Sequence, residues 1–134
     1  MDAEQKQKFR RRYESSDDDA LMAAEMEALG SDYRANGYTT MGQADQLGDA
    51  LRLESGQLLL DLGSGCGWPG LYIAKTRNCS VVCADPVMEG SAAAHQRAAS
   101  ESISGWAVAV VGSGLAPPMR DESFDGVVHA DVMC

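Results

Sequence analysis

The run LLLDLGSGCGWPG at residues 58–70 restricts the fold more than any other part of the chain. It opens on LLLDL, an apolar stretch without alternation, which is the pattern of a parallel strand buried on both faces. Gly63, Gly65, Gly67 and Gly70 follow it closely. Glycine lets a backbone turn sharply and approach a ligand. The helix that comes next offers free N–H groups and a positive dipole end, suited to an anion. Its proline, Pro69, falls in the first turn, where a missing N–H costs nothing. In an open α/β sheet, ligands sit at the carboxyl ends of the strands, which is where this turn lies.

The same alternation continues downstream. SVVCAD, WAVAVVG and FDGVVHAD read as a second, third and fourth strand, separated by helices over PGLYIAKTR and GSAAAHQRAASES and by the loop LAPPMRDES. Strands alternating with helices imply βαβ units and a parallel sheet, an α/β fold. Upstream the pattern is helical. Residues 3–14 predict a charged helix with Phe9 and Tyr13 on one face. Ser16 is placed to cap a second helix, with Asp17, Asp18 and Asp19 at its positive end. That helix carries Leu21, Met22, Met26 and Leu29, with the two methionines expected in its core face, and stops at Gly30. After the loop SDYRANGYTT, Thr39 or Thr40 caps a third helix with Met41, Ala44, Leu47 and Leu51 on one side. The expected division is a helical cap or lid over 1–55 and a sheet domain over 56–134.

Charge and cysteines narrow the partners. The net charge of −9 argues against nucleic acid, whose phosphates need a basic face. Five of the eleven basic residues, Lys6, Lys8 and Arg10 to Arg12, lie in the first helix, and read as a solvated face or as a contact for an anionic partner. No signal peptide or membrane span is visible. Cys66, Cys79, Cys83 and Cys134 form no C-x-x-C pair and match no zinc module, so no metal is expected. They read as reduced, mostly buried thiols of a cytoplasmic protein.

The glycine turn has a companion. Asp85 ends the second strand, twenty-two residues after Gly63, about where an acidic side chain meets ribose hydroxyls. A helix cap or turn is the structural alternative for Asp85. Two nucleotide classes fit such a pair. The dinucleotide pattern G-x-G-x-x-G fails from Gly63, because Trp68 stands where glycine is needed. From Gly65 and Gly67 it is met by Gly70, but Trp68 and Pro69 then crowd the helix start and remove a donor. The other pattern is acid-x-G-x-G-x-G: Asp61, Gly63, Gly65, Gly67.

This second pattern closely resembles the first motif of class I S-adenosylmethionine-dependent methyltransferases. VVCADP is similar to that family's second motif, and GSGLAPPMRDESFDGVVHADV to its third and fourth. NGYTTMGQADQL resembles the segment that caps the methionine end of the cofactor in small-molecule methyltransferases, with a looser likeness to phosphoethanolamine methyltransferases. The resemblance implies a Rossmann-like sheet in the order 3-2-1-4 beneath an N-terminal helical lid, S-adenosylmethionine as cofactor, and a small molecule as methyl acceptor.

It also implies roles. Asp61 would orient the turn and meet the cofactor's ammonium, directly or through water. Gly63, Ser64 and Gly65 would pass under its methionine and ribose, with Gly67 completing the motif. Thr39 and Tyr38 would close over the methionine carboxylate. Asp85 would take the ribose hydroxyls, with Pro86 beside the adenine. Ser113 stands where the family usually has an aspartate for the adenine amino group, a departure that predicts a weaker contact, and Gly114 offers its N–H. Asp131 either caps a following helix or belongs to the site. His129 is a sheet-end histidine or a catalytic base. Tyr13 and Tyr33 pack the core or lid, with a substrate role as the alternative, and Trp68 is expected to pack.

Members of that family have seven strands, and four are found here, so the resemblance implies the cofactor-binding half of an enzyme, truncated after the fourth strand. A free edge on that strand would suit a second copy or a completing chain. A non-catalytic binding or assembly subunit and a nicotinamide-dependent oxidoreductase are the competing readings.

Overall fold

The computed structural model describes residues 1–15 and 18–132. The elements in chain order are α1 (Ala3–Ser15), α2 (Asp19–Leu29), α3 (Met41–Leu51), β1 (Leu58–Leu62), α4 (Gly70–Arg77), β2 (Ser80–Asp85), α5 (Met88–Ser100), β3 (Ala107–Val111) and β4 (Gly126–Val128). The four strands form one parallel sheet in the order β3-β2-β1-β4.

Register sets the two faces of the sheet, because side chains alternate along a strand. Leu59, Val81, Cys83, Ala107 and Val128 share a core with Ala44 of α3, Leu71, Ile73 and Ala74 of α4, and Ala94 and Ala98 of α5. The opposite face carries Val108, Val82, Leu60 and Val127 side by side in register. Its outer members, Val108 and Val127, remain 53% and 51% exposed. The expectation of burial on both faces therefore holds for the face under the helices and only for the middle of the other.

Local chemistry explains the helix ends. Thr40, not Thr39, caps α3: its side chain accepts from Gln43 N–H, and the Gln43 side chain returns to the Thr40 backbone. α2 starts at Asp18, whose carboxylate accepts from Ala20 N–H. The expected cap Ser16 and its neighbour Asp17 lie outside the described residues, as does Cys134. Gly30 ends α2 in the left-handed conformation, as read from the sequence. Pro69 sits just ahead of α4 rather than inside it. Among the described residues no helix is long and apolar enough to cross a membrane.

Two sequence expectations are corrected. α2 buries none of its residues, and Met26 is 49% exposed, so the Met22 and Met26 face is not core. Apolar residues at helical spacing mark a face that can be buried; burial needs an element opposite it. The fourth strand is also shorter than 124–131. Pairing with β1 ends at Val128, and Asp131 takes a left-handed backbone (φ 59°) that turns the chain away.

The 31–39 segment is held from both sides. The Arg97 guanidinium lies 3.9 Å from the centre of the Tyr33 ring, Tyr33 Oη donates to Glu101 (2.8 Å), and the ring packs on Trp68 at 5.1 Å. Both Tyr33 and Trp68 are buried packing residues, as expected. Arg77 ties α4 to α3 by bonds to Asp45 O (3.1 Å) and Asp49 Oδ1 (2.7 Å).

Candidate cofactor cavity

β1 delivers the chain to the glycine turn. Gly63 N–H and Ser64 N–H both donate to Ala84 O on β2 (2.7 and 3.1 Å), so the turn hangs from the neighbouring strand. Gly63 and Gly65 adopt positive φ (76° and 51°), which other residues adopt at a cost. The spacing of the turn also depends on their bareness. A Cβ at Gly63 would stand 2.6 Å from Val132 Cγ2, and one at Gly65 would stand 3.2 Å from the Tyr13 hydroxyl.

Above this turn lies a cavity of about 560 Å³. Its floor is Gly63, Ser64, Gly65, Asp85 and Pro86, one wall is Ser113, Gly114 and Leu115, and the other is Ala130, Asp131 and Val132. Its roof is α1, which contributes Gln5, Phe9 and Tyr13 at steps of four, with Met1 just ahead of it. Ala35 and Asn36 close the remaining side. The size is ordinary for a small-molecule or cofactor site. Nine residues expected at the site therefore meet at one cavity: Tyr13, Gly63, Ser64, Gly65, Asp85, Pro86, Ser113, Gly114 and Asp131.

Asp85 is the buried acid beside the turn. Its Oδ2 accepts from Gly65 N–H (2.9 Å) and, at longer range, from Tyr13 Oη (3.5 Å), and its Oδ1 accepts from Val87 N–H (2.8 Å). Only 3% of the residue is exposed. Burial raises its carboxyl above the usual range, and the Val87, Gly65 and Tyr13 donors partly offset that. Burial, and then the nearby Asp85, push the Tyr13 phenol up as well.

Asp61 lies behind the glycine turn. It is fully buried and does not line the cavity. Its Oδ2 accepts from Gly70 N–H (2.8 Å) at the start of α4, and its Oδ1 has no hydrogen-bond partner. Burial pushes its carboxyl up to about 8, offset in part by Gly70 N–H and reinforced by Asp85. The helix start is thus capped by Oδ2 of this carboxyl, while Oδ1 has no hydrogen-bond partner among the described residues. Ser64, on the floor, also holds a buried hydroxyl with no partner; the Cys83 thiol beneath it lies outside hydrogen-bonding geometry. Gly67 serves α4, its carbonyl accepting from Leu71 N–H (2.9 Å), and stays off the cavity.

Tyr38, Thr39 and His129 line a second, more open cavity of about 450 Å³ with Gln43, Gln46 and Leu47. Ala130 and Asp131 border both cavities. Asp131 Oδ2 accepts from Tyr38 N–H (3.0 Å), Thr39 N–H (3.1 Å) and Thr39 Oγ1 (2.9 Å), while Trp68 Nε1 donates to Thr39 O (3.0 Å). Asp131 therefore caps the 38–39 segment. Its structural role across 92 positions of sequence has no local signal.

Sequence reasoning missed Met1, Gln5, Phe9, Ala35, Asn36 and Leu115 as lining residues. The step of four along α1 was the available signal, since it ran to Phe9 and Tyr13. Ser113 reaches the cavity, but its Oγ accepts from Leu115 N–H (3.2 Å) in a small turn.

A family profile described as "Methyltransferase domain" matches residues 59–134. No curated protein matches the chain. Among solved structures, it is similar to a SAM-dependent methyltransferase from Thiobacillus denitrificans in complex with S-adenosyl-L-homocysteine, with 30% identity and a TM-score of 0.59 over 67% of this chain and 36% of that one. A SAM-dependent methyltransferase from Geobacter sulfurreducens, also with S-adenosyl-L-homocysteine, shares 32% identity and a TM-score of 0.51 over 55% of this chain and 29% of that one. YjhP from Escherichia coli shares 27% identity and a TM-score of 0.50 over 55% and 30%. The chain spans about a third of the length of these relatives. The glycine turn, the acid beside it and the 3-2-1-4 sheet all fall where the profile matches, and the chain belongs to the methyltransferase-domain family.

Proposed function

We propose that this chain binds S-adenosylmethionine and forms part of a methyltransferase acting on a small molecule. One observation carries the reading: Asp85, at the end of β2, is held by Gly65 N–H against the glycine turn on the floor of a cavity of about 560 Å³. A ribose diol needs such a carboxylate, and the cofactor's methionine needs the bare backbone that Gly63 and Gly65 provide. The unpartnered Ser64 hydroxyl supplies a further polar group at that floor. These features fit the cofactor. Asp85 would hold the ribose, with Pro86, Ser113 and Gly114 on the adenine side and Ser64 and Gly65 beneath.

When bound, the cofactor supplies an electrophilic methyl group. The chain's own residues align the partners. α1 and the 35–36 segment lie over the cavity in the ligand-free chain, and Asp131 fixes the border between the two cavities. The second cavity is where an acceptor would stand, and His129 on its wall is the residue placed to take a proton from it. A small acceptor is supported by the roofed cavity and by the net charge of −9, which disfavours nucleic acid. The segment 1–55 acts in this reading as the cap, and the buried thiols Cys66, Cys79 and Cys83, none in a disulfide, suit the reducing cytoplasm. The outer edge of β4, with half-exposed Val127 beside it, would accept a strand from a second copy or a completing chain.

Calorimetry tests the reading with S-adenosylhomocysteine and NAD in parallel. Saturable binding of S-adenosylhomocysteine, with a rise in melting temperature, is expected. Binding of NAD alone would replace the reading with an oxidoreductase.

A further inference from the structure

Asp85 is engaged on both oxygens within the chain itself, and α1 supplies the one donor that is not part of the sheet layer. The Tyr13 ring stands in a slot made by two glycines. A Cβ at Gly65 would stand 3.2 Å from its hydroxyl, and a Cβ at Gly90 would stand 2.9 Å from its Cε2. Tyr13 packs there with Cys66 and Val87, with Phe9 alongside. A second tie lies one turn earlier, where Arg10 Nε pairs with Glu89 Oε1 of α5 at 2.9 Å. The outward side of α1 is exposed and carries Lys6, Lys8, Arg11 and Arg12. α1 is therefore fastened at its C-terminal half, over the acid, by the packing of Tyr13 and Phe9 and by polar ties that include one long hydroxyl contact and one partly exposed ion pair. These two ties are weak fasteners: a 3.5 Å bond lies at the limit of useful geometry, and exposed pairs contribute little.

A diol that bonds to Asp85 needs acceptor capacity on the oxygens that Gly65, Val87 and Tyr13 already use. The two backbone donors belong to the turn and to the start of α5, so they stay. The phenol can leave. We propose that α1 is a latch: the Tyr13 hydroxyl occupies the place on Asp85 that a ribose hydroxyl takes, and α1 yields there when a ribose-bearing ligand binds. This rests on the cofactor reading above. The ligand class follows from the chemistry of the displaced group, a hydroxyl donor exchanged for a hydroxyl donor. The site thus selects for a vicinal diol, and Tyr13 sets how much a diol gains over a ligand without one.

Tyr13→Phe tests this, because it keeps the ring in its slot and removes only the hydroxyl. S-adenosylhomocysteine and adenosine should bind the variant about 2- to 10-fold more tightly, one long hydrogen bond to the carboxylate no longer being displaced. Dideoxyadenosine, which has no diol, should bind both proteins alike; a purely structural effect would move all three ligands together. Trypsin supplies a ligand-independent arm. Cutting between Lys6 and Arg12 should be faster in Tyr13→Phe and in Glu89→Gln than in the parent chain, and S-adenosylhomocysteine should speed cutting of the parent. Unchanged cutting in Tyr13→Phe, weaker diol binding, or protection of α1 by the ligand would each overturn the latch. If S-adenosylhomocysteine binds neither protein, the cofactor reading falls, while the rate of cutting still decides whether the hydroxyl fastens α1.

Discussion

Asp61 and Asp85 are two aspartates on adjacent parallel strands, buried beside the same glycine turn, and the fold uses them in opposite ways. Asp85 is met by three donors and faces a cavity. Asp61 is met by one, Gly70 N–H, and its other oxygen has none. Donors favour the ionised form and desolvation disfavours it. So Asp61 is the acid that keeps its proton, at about 8, while the donors on Asp85 work against a smaller rise. Burial alone does not make an acid a ligand-binding group. The number of donors aimed at it, and the side from which space reaches it, decide that.

The largest expected contrast is in ligand affinity. Asp85→Ala should weaken S-adenosylhomocysteine binding by about 100-fold or more, since each of two charge-assisted bonds to a diol is worth roughly 1.5–3 kcal/mol. Asp61→Asn should leave the affinity of the folded protein within a few-fold. Calorimetry on both variants separates them, and equal losses would erase the distinction. Asp85→Ala should also lower the melting temperature, because it strands Gly65 N–H and Val87 N–H.

Next is the pH dependence of stability. Asp61 has a folded value of about 8, above its unfolded value near 3.9, so between those values the folded chain binds more protons than the unfolded one. Its contribution is present in full below about pH 4 and is lost as pH rises toward 8. The parent chain should therefore lose stability across that window relative to Asp61→Asn, by a few kcal/mol at most. Denaturant titrations at several pH values read this directly. Parallel curves for the two proteins would mean that Asp61 is ionised in the fold.

The smallest expected effect places a third acid at the cavity. Ser113→Asp should tighten S-adenosylhomocysteine binding about 5-fold, as a charged acceptor for an amino group replaces a neutral one. The net charge of −9 and the cost of desolvating a carboxylate oppose it, though Ser113 is exposed, which keeps that cost low. Weaker binding with stability intact would move the adenine away from Ser113.

Much of this was legible in the chain, and the part that was not shares a cause. β1 and β2 fall where their apolar runs end, because burial in a parallel sheet leaves an unbroken pattern. The meeting of Asp85 with the glycine turn was readable from spacing, since the two are only 20 positions apart at Gly65. The bond from Gly70 N–H to Asp61 was not legible, because the motif fixes where Asp61 stands in sequence and not which way its carboxyl turns. For Tyr13 and Asp131 the sequence left a packing or capping role and a site role side by side; their partners lie 72 and 92 positions away, and no local pattern encodes such a pairing. Met26 was misread for the complementary reason, that helical spacing shows a face and not its neighbour.

These separations carry a consequence for the order in which the molecule assembles. Closing a longer loop costs more chain entropy, so distant contacts form late and near ones early. The turn and Asp85 can meet as soon as β1, α4 and β2 have come together. The Asp131 bonds to Tyr38 and Thr39 close loops of 93 and 92 positions. They are the last major closure and the first to open. Heating or mild denaturant should therefore release the far wall of the cavity before the sheet melts. Amides of Tyr38 and Thr39 should exchange with solvent well ahead of those in β1 and β2, and the molecule should lose its grip on a ligand while its strands are still paired.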